Sequence, residues 1–266
     1  MTVSSYSGAL DRIQSALEGA RKVFSRFQPG EIAAEYKAGH DPVTEVDREL
    51  DRWLRKQLLR NGEGWLSEES ADDLSRLYSK HVWIVDPLDG TREFVAGIPE
   101  FCVSIAFIEE GEAVAGGILN PASGELFLGA LDSGMTHNGV PARPRERPTL
   151  EGATVLASRS ENTRGEWERF RHAPFRVVAV GSVAYKLARV AAGLADATFT
   201  LSPKHEWDVA AGVALVKSSG GFVRALERSD LAFNQPSPRI TGLIACRSQL
   251  RQELLALLEV SDLPGR

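Results

Sequence analysis

The apolar residues of this chain change their spacing twice, and the order of those periods limits the fold. Leu10, Ile13, Leu17, Ala20 and Phe24 recur at three- and four-residue steps, as do Val46, Leu50, Trp53, Leu54 and Leu58. Two amphipathic helices therefore open the chain. Short β-branched segments follow at Val82 to Val85, Phe101 to Ile108, Ala113 to Leu119 and Glu125 to Ala130, separated by Gly-Glu and Asn-Pro turns. This pattern predicts a meander-like antiparallel sheet. Near Ala142 to Pro148 the chain reads PARPRERP, which resists helix and strand alike and suits a domain boundary. The expected division is 1–147, an α+β domain, and 148–266, an α/β domain, sharing a cleft. In the second half, strands at Thr154 to Ala157, Arg176 to Val180, Ala197 to Leu201, Phe222 to Ala225 and Leu243 to Cys246 alternate with helices. The helices are expected from about Thr163, over Ser182 to Ala192, over Trp207 to Ser218 and over Gln249 to Leu258. Such alternation predicts a layered α/β half with its sheet covered on both faces.

The 266 residues are 43% hydrophobic and 25% charged, which excludes collagenous and disordered classes. No apolar run approaches the ~20 residues of a membrane helix, and Met1 to Leu10 lacks the basic-then-apolar order of a signal peptide, so a cytoplasmic protein with no membrane partner is expected. Cys102 and Cys246 each sit in an apolar run and read as small buried hydrophobes. A net charge of −5 gives no positive field for a nucleic-acid polymer. An anionic ligand would need a local source of attraction.

That source lies among the acidic segments. In Trp83-Ile-Val-Asp86-Pro87-Leu88-Asp89-Gly90-Thr91, a buried strand ends at Asp86 and Pro87 stiffens the turn. Asp89 projects near Asp86, and Gly90-Thr91 begins a helix whose N–H groups face the same spot, so metal and phosphate can meet there. Thr44 reads as an N-cap with Asp47 three residues on, an imperfect capping box. Glu68 and Glu69 follow the short apolar strand ending at Ser67, and one of them is expected to face inward. Asp208 starts a helix lined by small residues, where its oxygens remain available to a cation. Each segment alone also reads as an ordinary cap or surface turn. The five His residues show no metal-binding spacing, and His205 reads as an exposed polar residue. Oxygen ligands without a His or Cys cluster favour Mg²⁺ over zinc.

In order and in wording these segments resemble the signature of the inositol monophosphatase family of magnesium-dependent, lithium-sensitive phosphatases. The resemblance runs from Lys37-x-x-x-Asp41-x-Val43-Thr44-x-x-Asp47 through the Glu68-Glu69 turn and Asp86-Pro87-Leu88-Asp89-Gly90-Thr91. It continues through Gly181-Ser182 and Ala195-Asp196 to Trp207-Asp208-x-Ala210-Ala211-Gly212. It implies a five-layer αβαβα sandwich, commonly a homodimer, holding two to three Mg²⁺ per site. Glu68, Asp86 and the Leu88 carbonyl would hold a first ion, Asp86, Asp89 and Asp208 a second, and Asp47 a weaker third. Glu68 and Thr91 would position and deprotonate the attacking water, while the Gly90 and Thr91 N–H groups grip the phosphate. Lys37, Arg92, Gly181, Ser182, Lys186 and Glu206 are the candidate substrate contacts. Ser67 departs from the Gly that often precedes the Glu pair.

The implied activity is hydrolysis of a small soluble phosphate ester. Arg92-Glu93-Phe94 resembles the Lys-Glu-Phe of 3′(2′),5′-bisphosphate nucleotidases more than the Thr-Asn-Phe of inositol phosphatases. Leu201 stands where inositol-specific members usually carry a Glu, seven residues before Asp208. A bisphosphate nucleotidase is therefore expected, with an inositol-1-monophosphatase or other sugar-phosphate phosphatase as the alternative. A non-catalytic regulatory binding protein on the same fold predicts decayed metal ligands, whereas Glu68, Asp86, Asp89, Thr91 and Asp208 are all present. A haloacid-dehalogenase-type phosphatase needs acidic residues two apart, and Asp86 and Asp89 are three apart. The chain has no Gly-Lys pair for a nucleotide-binding loop and no G-x-S-x-G elbow.

Overall fold

In the computed structural model the described residues are 5–36, 42–142, 147, 149–226 and 231–260, with backbone alone at 36, 259 and 260. Two antiparallel two-residue strands, β1 (Glu35–Tyr36) and β2 (Pro42–Val43), lie between helix α1 (Ser7–Phe24) and α2 (Glu45–Leu58). The seven-stranded first sheet then runs β3 (Gly64–Ser67), β4 (His81–Asp89), β5 (Cys102–Glu109), β6 (Glu112–Leu119), β7 (Leu126–Ala130), β8 (Gly134–His137) and β9 (Val140–Pro141), in that spatial order. Only the β3–β4 pair is parallel. The expected antiparallel meander is its centre. A five-residue helix, α3 (Thr91–Val95), leaves the end of β4.

The second sheet contains β10 (Thr154–Ser158), β11 (Arg176–Val180) and β12 (Ala197–Thr200). Beyond β12 lie the short β13 (Lys204–His205), then β14 (Phe222–Ala225), β15 (Arg239–Ile240) and β16 (Leu243–Cys246). Its order is β11-β10-β12-β16-β14, parallel across the first three and antiparallel beyond, while β13 and β15 form a separate antiparallel ribbon. The helices of this half are α4 (Arg159–Thr163), α5 (Val183–Ala191), α6 (Glu206–Ser218) and α7 (Arg251–Val260). The helix expected from about Thr163 is instead the single turn α4, which ends there. Ser158 caps it by accepting from the Glu161 N–H at 3.5 Å, and the chain continues as a 3₁₀ turn over Glu168–Phe170. Trp167 stacks on Phe199 at 4.5 Å, so aromatic anchoring to the sheet replaces a second amphipathic turn.

Three apolar clusters define the layers. Ile13, Leu17, Leu50 and Leu54 of α1 and α2 cover one face of the first sheet through Val85, Val103 and Ile105. Leu187, Val209 and Val213 of α5 and α6 fill the space between the two sheets, against Ile84 and Phe127 on one side and Leu156 and Ala245 on the other. Leu250, Leu254 and Leu258 cover the far face of the second sheet. Helix, sheet, helix, sheet, helix is the five-layer order expected. Residues 209–216 of α6 are all buried, as a helix apolar all round must be. Successive residues of a strand face opposite ways, and β6 uses this at Gly116-Gly117. A Cβ on Gly116 would lie 2.6 Å from the Ala211 carbonyl of α6, and one on Gly117 would lie 2.2 Å from Ile13 of α1. Both helices thus approach one strand from opposite sides. Cys102 and Cys246 are buried free thiols, and no helix of the described residues is long and apolar enough to cross a membrane.

Candidate active site

Strand β4 delivers Asp86 and Asp89 to the boundary between the layers. The pairing register with β5 shifts between them: Asp86 pairs with Ser104 and Asp89 with Cys102. The Leu88 N–H donates to Asp86 Oδ1 at 3.0 Å, closing the turn. Gly90 then takes φ +97°, and a Cβ there would meet the Glu100 carbonyl at 2.9 Å, so only glycine fits. The Thr91 hydroxyl lies 2.9 Å from the Leu88 carbonyl and 3.0 Å from Asp47 Oδ1.

Asp47 reaches this point from the first turn of α2. Its other oxygen accepts from the Thr44 N–H at 2.8 Å and the Thr44 hydroxyl at 2.6 Å, so the capping box is complete rather than imperfect. Burial raises its pKa, against hydrogen bonds from Thr44 and Thr91. One turn further along α2, Asp51 accepts from Ser67 at 2.6 Å and Ser70 at 2.7 Å, holding the turn that carries Glu68 and Glu69. Ser67, the departure from glycine, is thus a hydrogen-bonded anchor. Asp51 went unrecognised in the sequence; its signal is the four-residue step from Asp47, which puts both on one helix face.

Asp208 lies at the third position of α6, and its Oδ2 accepts from the His205 N–H at 2.7 Å. His205 itself is exposed and stacks on Trp207 at 4.5 Å. Asp89 Oδ2 accepts twice, from the Ser182 hydroxyl and the Ala184 N–H, each at 2.7 Å. Ser182 holds φ +57°, a conformation unusual for a serine. Lys186, only 2% exposed, secures it by donating to the Ser182 carbonyl at 2.9 Å and the Val180 carbonyl at 3.2 Å. Burial lowers this ammonium to about 8, with Asp89 acting the other way.

Oxygens of Glu68, Asp86 and Asp208 come within 4.8 Å of one another. They line a cavity of about 330 Å³ together with Leu88, Asp89, Gly90, Thr91, Arg92, Gly181, Ser182 and Lys186. Burial, followed by the neighbouring Glu68, Asp89 and Asp208, raises Asp86 well above the ordinary carboxylate range. Burial is also the main reason that Asp89 is raised and that Asp208 is pushed to about 8, with Asp89 adding to the latter. Carboxylates crowded this closely out of bulk water call for a cation to offset them. Among the described residues the cavity lining offers oxygen donors and no His or Cys, which fits Mg²⁺.

One expected contact falls elsewhere. Glu206 is 1% exposed and does not line the cavity; its two oxygens accept from the Asn234 N–H at 2.7 Å and the Gln235 N–H at 2.9 Å. Its role is to fix that loop, and burial raises its pKa to about 7. Lys37, with Asp41, lies outside the described residues. Asp196 caps the start of β10 through the Thr154 N–H at 2.8 Å and pairs with Arg147 and Arg247, a structural role. The lining also includes Glu93, Ser158, Ser160, Arg164 and Lys204, none of which the sequence reading singled out as a site contact. Leu201 packs against the aromatic cluster of Trp167 and Phe199.

Over residues 9–261 the sequence matches the profile of the inositol monophosphatase family. The chain belongs to that family. Its members are phosphoric monoester hydrolases acting on small phosphate esters with magnesium, and the chain is an enzyme of this class. It is 34% identical to the inositol-1-monophosphatase of Rhizobium meliloti, over 70% of this chain and 73% of that one. It is 32% identical to the 3′-phosphoadenosine 5′-phosphate phosphatase of Mycobacterium bovis, over 80% of each. The crystal structure of the extragenic suppressor protein suhB from Bartonella henselae superposes with a TM-score of 0.81 at 29% identity, covering 96% of this chain and all of that one.

Proposed function

We propose that this chain is a 3′(2′),5′-bisphosphate nucleotidase whose Mg²⁺ ions are held by Glu68, Asp86, Asp89, Asp208 and the Leu88 carbonyl. The convergence of Glu68, Asp86 and Asp208 within 4.8 Å, in the cavity that Asp89 and Thr91 also line, carries the reading. Bound there, the ions would neutralise the phosphate and acidify its attacking water. The chain's own groups do the rest. Asp47 holds the Thr91 hydroxyl, and Thr91 with Glu68 orients the water, whose proton passes toward the Glu68 carboxylate. Gly90 and Thr91 present backbone N–H groups to the phosphate at the start of α3. Asp47, already bound on both oxygens, suits only a weaker third ion held through water, the site at which lithium would compete.

For the substrate, two observations support the nucleotide. Arg92 lines the cavity, and Leu201 leaves no acidic acceptor for polyol hydroxyls at its position. An inositol phosphate would lose a charge-assisted hydrogen bond of roughly 1.5–3 kcal/mol there. The second reading, an inositol-1-monophosphatase, draws on the rhizobial relative. Side-by-side kinetics on adenosine 3′,5′-bisphosphate, inositol 1-phosphate and fructose 1,6-bisphosphate decide the matter. The nucleotide should have the highest kcat/KM in Mg²⁺, with Asp89→Asn losing at least a hundredfold on it. A tenfold preference for inositol 1-phosphate would reverse the substrate assignment, and full activity in Asp89→Asn would reverse the ligand assignment.

A further inference from the structure

The cavity has a cationic wall that the reaction described above does not use. Lys204 stands on the β13–β15 ribbon, paired with Ile240, and its side chain lines the cavity while only 18% exposed. Its Nζ lies 3.7 Å from Glu161 Oε1. Glu161 is fixed in turn: Oε1 accepts from the Thr200 hydroxyl at 2.5 Å and Oε2 from Trp167 Nε1 at 3.2 Å. That long contact is the one partner of the Lys204 ammonium among the described residues. An ammonium has three donors, so a mostly buried one with a single distant partner has hydrogen bonds to give to a ligand. The same wall carries Arg164 and Ser160, and these, with Arg92 and Glu93, are shared with an adjoining cavity of about 400 Å³ that extends past Ile98 and Thr163. The cleft therefore leads from the carboxylates past Lys204, Arg92 and Arg164, the last also paired with Glu166 at 2.6 Å, into a second bay.

The two parts of this cleft ask for different things. The carboxylate end can meet an anion through metal and the Gly90 and Thr91 N–H groups, whereas Lys204, Arg92 and Arg164 offer it positive charge directly. Sugar hydroxyls near an ammonium gain hydrogen bonds with one charged partner, while a phosphate gains stronger ones in which both donor and acceptor are charged. We infer that Lys204, seated on Glu161, is a specificity-determining residue that binds a second phosphate group of the substrate, so that the enzyme selects bisphosphates over monophosphates. The inference rests on the phosphatase reading of the neighbouring carboxylates, and it holds whether a nucleoside or a sugar joins the two phosphates.

The test compares wild type with Lys204→Met, which keeps the aliphatic stem, and Lys204→Arg, which keeps the charge. KM and kcat are measured in Mg²⁺ on adenosine 3′,5′-bisphosphate, fructose 1,6-bisphosphate and p-nitrophenyl phosphate. In Lys204→Met, KM for the preferred bisphosphate should rise roughly 10–100-fold, as expected for losing a hydrogen bond to a charged group. The ratio of bisphosphate to p-nitrophenyl phosphate kcat/KM should fall by the same factor, and Lys204→Arg should recover most of it. Equal losses on all three esters would make Lys204 a structural residue and overturn the proposal, as would unchanged KM values. If fructose 1,6-bisphosphate is preferred and Lys204→Met impairs it, the nucleotide assignment fails while this one stands. Calorimetry with whichever of the two bisphosphates is preferred, in Ca²⁺, repeats the comparison without turnover, and equal affinity of wild type and Lys204→Met would refute it.

Discussion

Replacing Asp86 by Asn should stabilise the metal-free protein while removing its response to Mg²⁺. Asn keeps the shape and retains an Oδ1 to accept the Leu88 N–H, so the change is almost purely one of charge. At 4.8 Å and an effective dielectric near 20, two carboxylates repel by about 3 kcal/mol. Asp86 takes part in two of the three contacts among Glu68, Asp86 and Asp208. Proton uptake and water in the open cavity relieve most of this, leaving a net gain of about 1–3 kcal/mol. For a chain of this size that is roughly 3–10 °C in Tm. The pH dependence has a definite sign. Asp86, Asp89 and Asp208 are all raised in the fold, so each adds stability below its unfolded value near ~3.9. That stability is lost as pH climbs through the folded value, about 8 for Asp208. Thermal melts in EDTA should therefore fall from pH 5 to pH 8.5 in wild type, and fall less in Asp86→Asn. Millimolar Mg²⁺ should restore wild type at high pH by mass action and leave the variant nearly unmoved. If the variant in EDTA at pH 8 melts at or below the wild-type temperature, the carboxylates do not repel one another as argued.

Two further outcomes follow from the surroundings of the site. Lys186→Met removes the two bonds that secure the Ser182 turn behind Asp89. Mg²⁺ affinity measured by calorimetry should drop about 10-fold or more, as for other residues that orient a metal ligand, and an unchanged titration would leave Lys186 without that role. Glu206→Ala strands the Asn234 and Gln235 N–H groups and should destabilise by roughly 1–3 kcal/mol in urea unfolding with KM intact. A rise in KM without loss of stability would return Glu206 to the substrate site.

The site was most legible where neighbouring residues in the chain are also neighbours in space. Asp86, Leu88, Asp89, Gly90 and Thr91 lie within one strand end and turn, so local geometry fixes their common direction. Helices are less forgiving. Glu206 and Asp208 are two apart on α6, about 200° around the axis, so one faces the cavity and the other the Asn234 loop. Proximity in sequence misplaced Glu206 for that reason. Lys204 and Glu161 follow β12 and β10, whose parallel pairing brings them together across a long separation, and no local pattern announces such a contact. Helix α4 was misjudged because Trp167 and Phe170 look like one face of a helix, whereas they pack as aromatic anchors onto Phe199.

Gly116 has a reach beyond core packing. Strand β4 supplies Asp86 and Asp89, α6 supplies Asp208, and the gap between strand and helix is gauged two strands away, where the α6 backbone rests on bare β6 backbone. Any side chain inserted there would lift one rim of the carboxylate cluster away from the other. The tolerances of the chemistry are thus written into a contact that touches neither substrate nor ion, and drift at that contact would silence the enzyme while every ligand stayed in its place in the sequence.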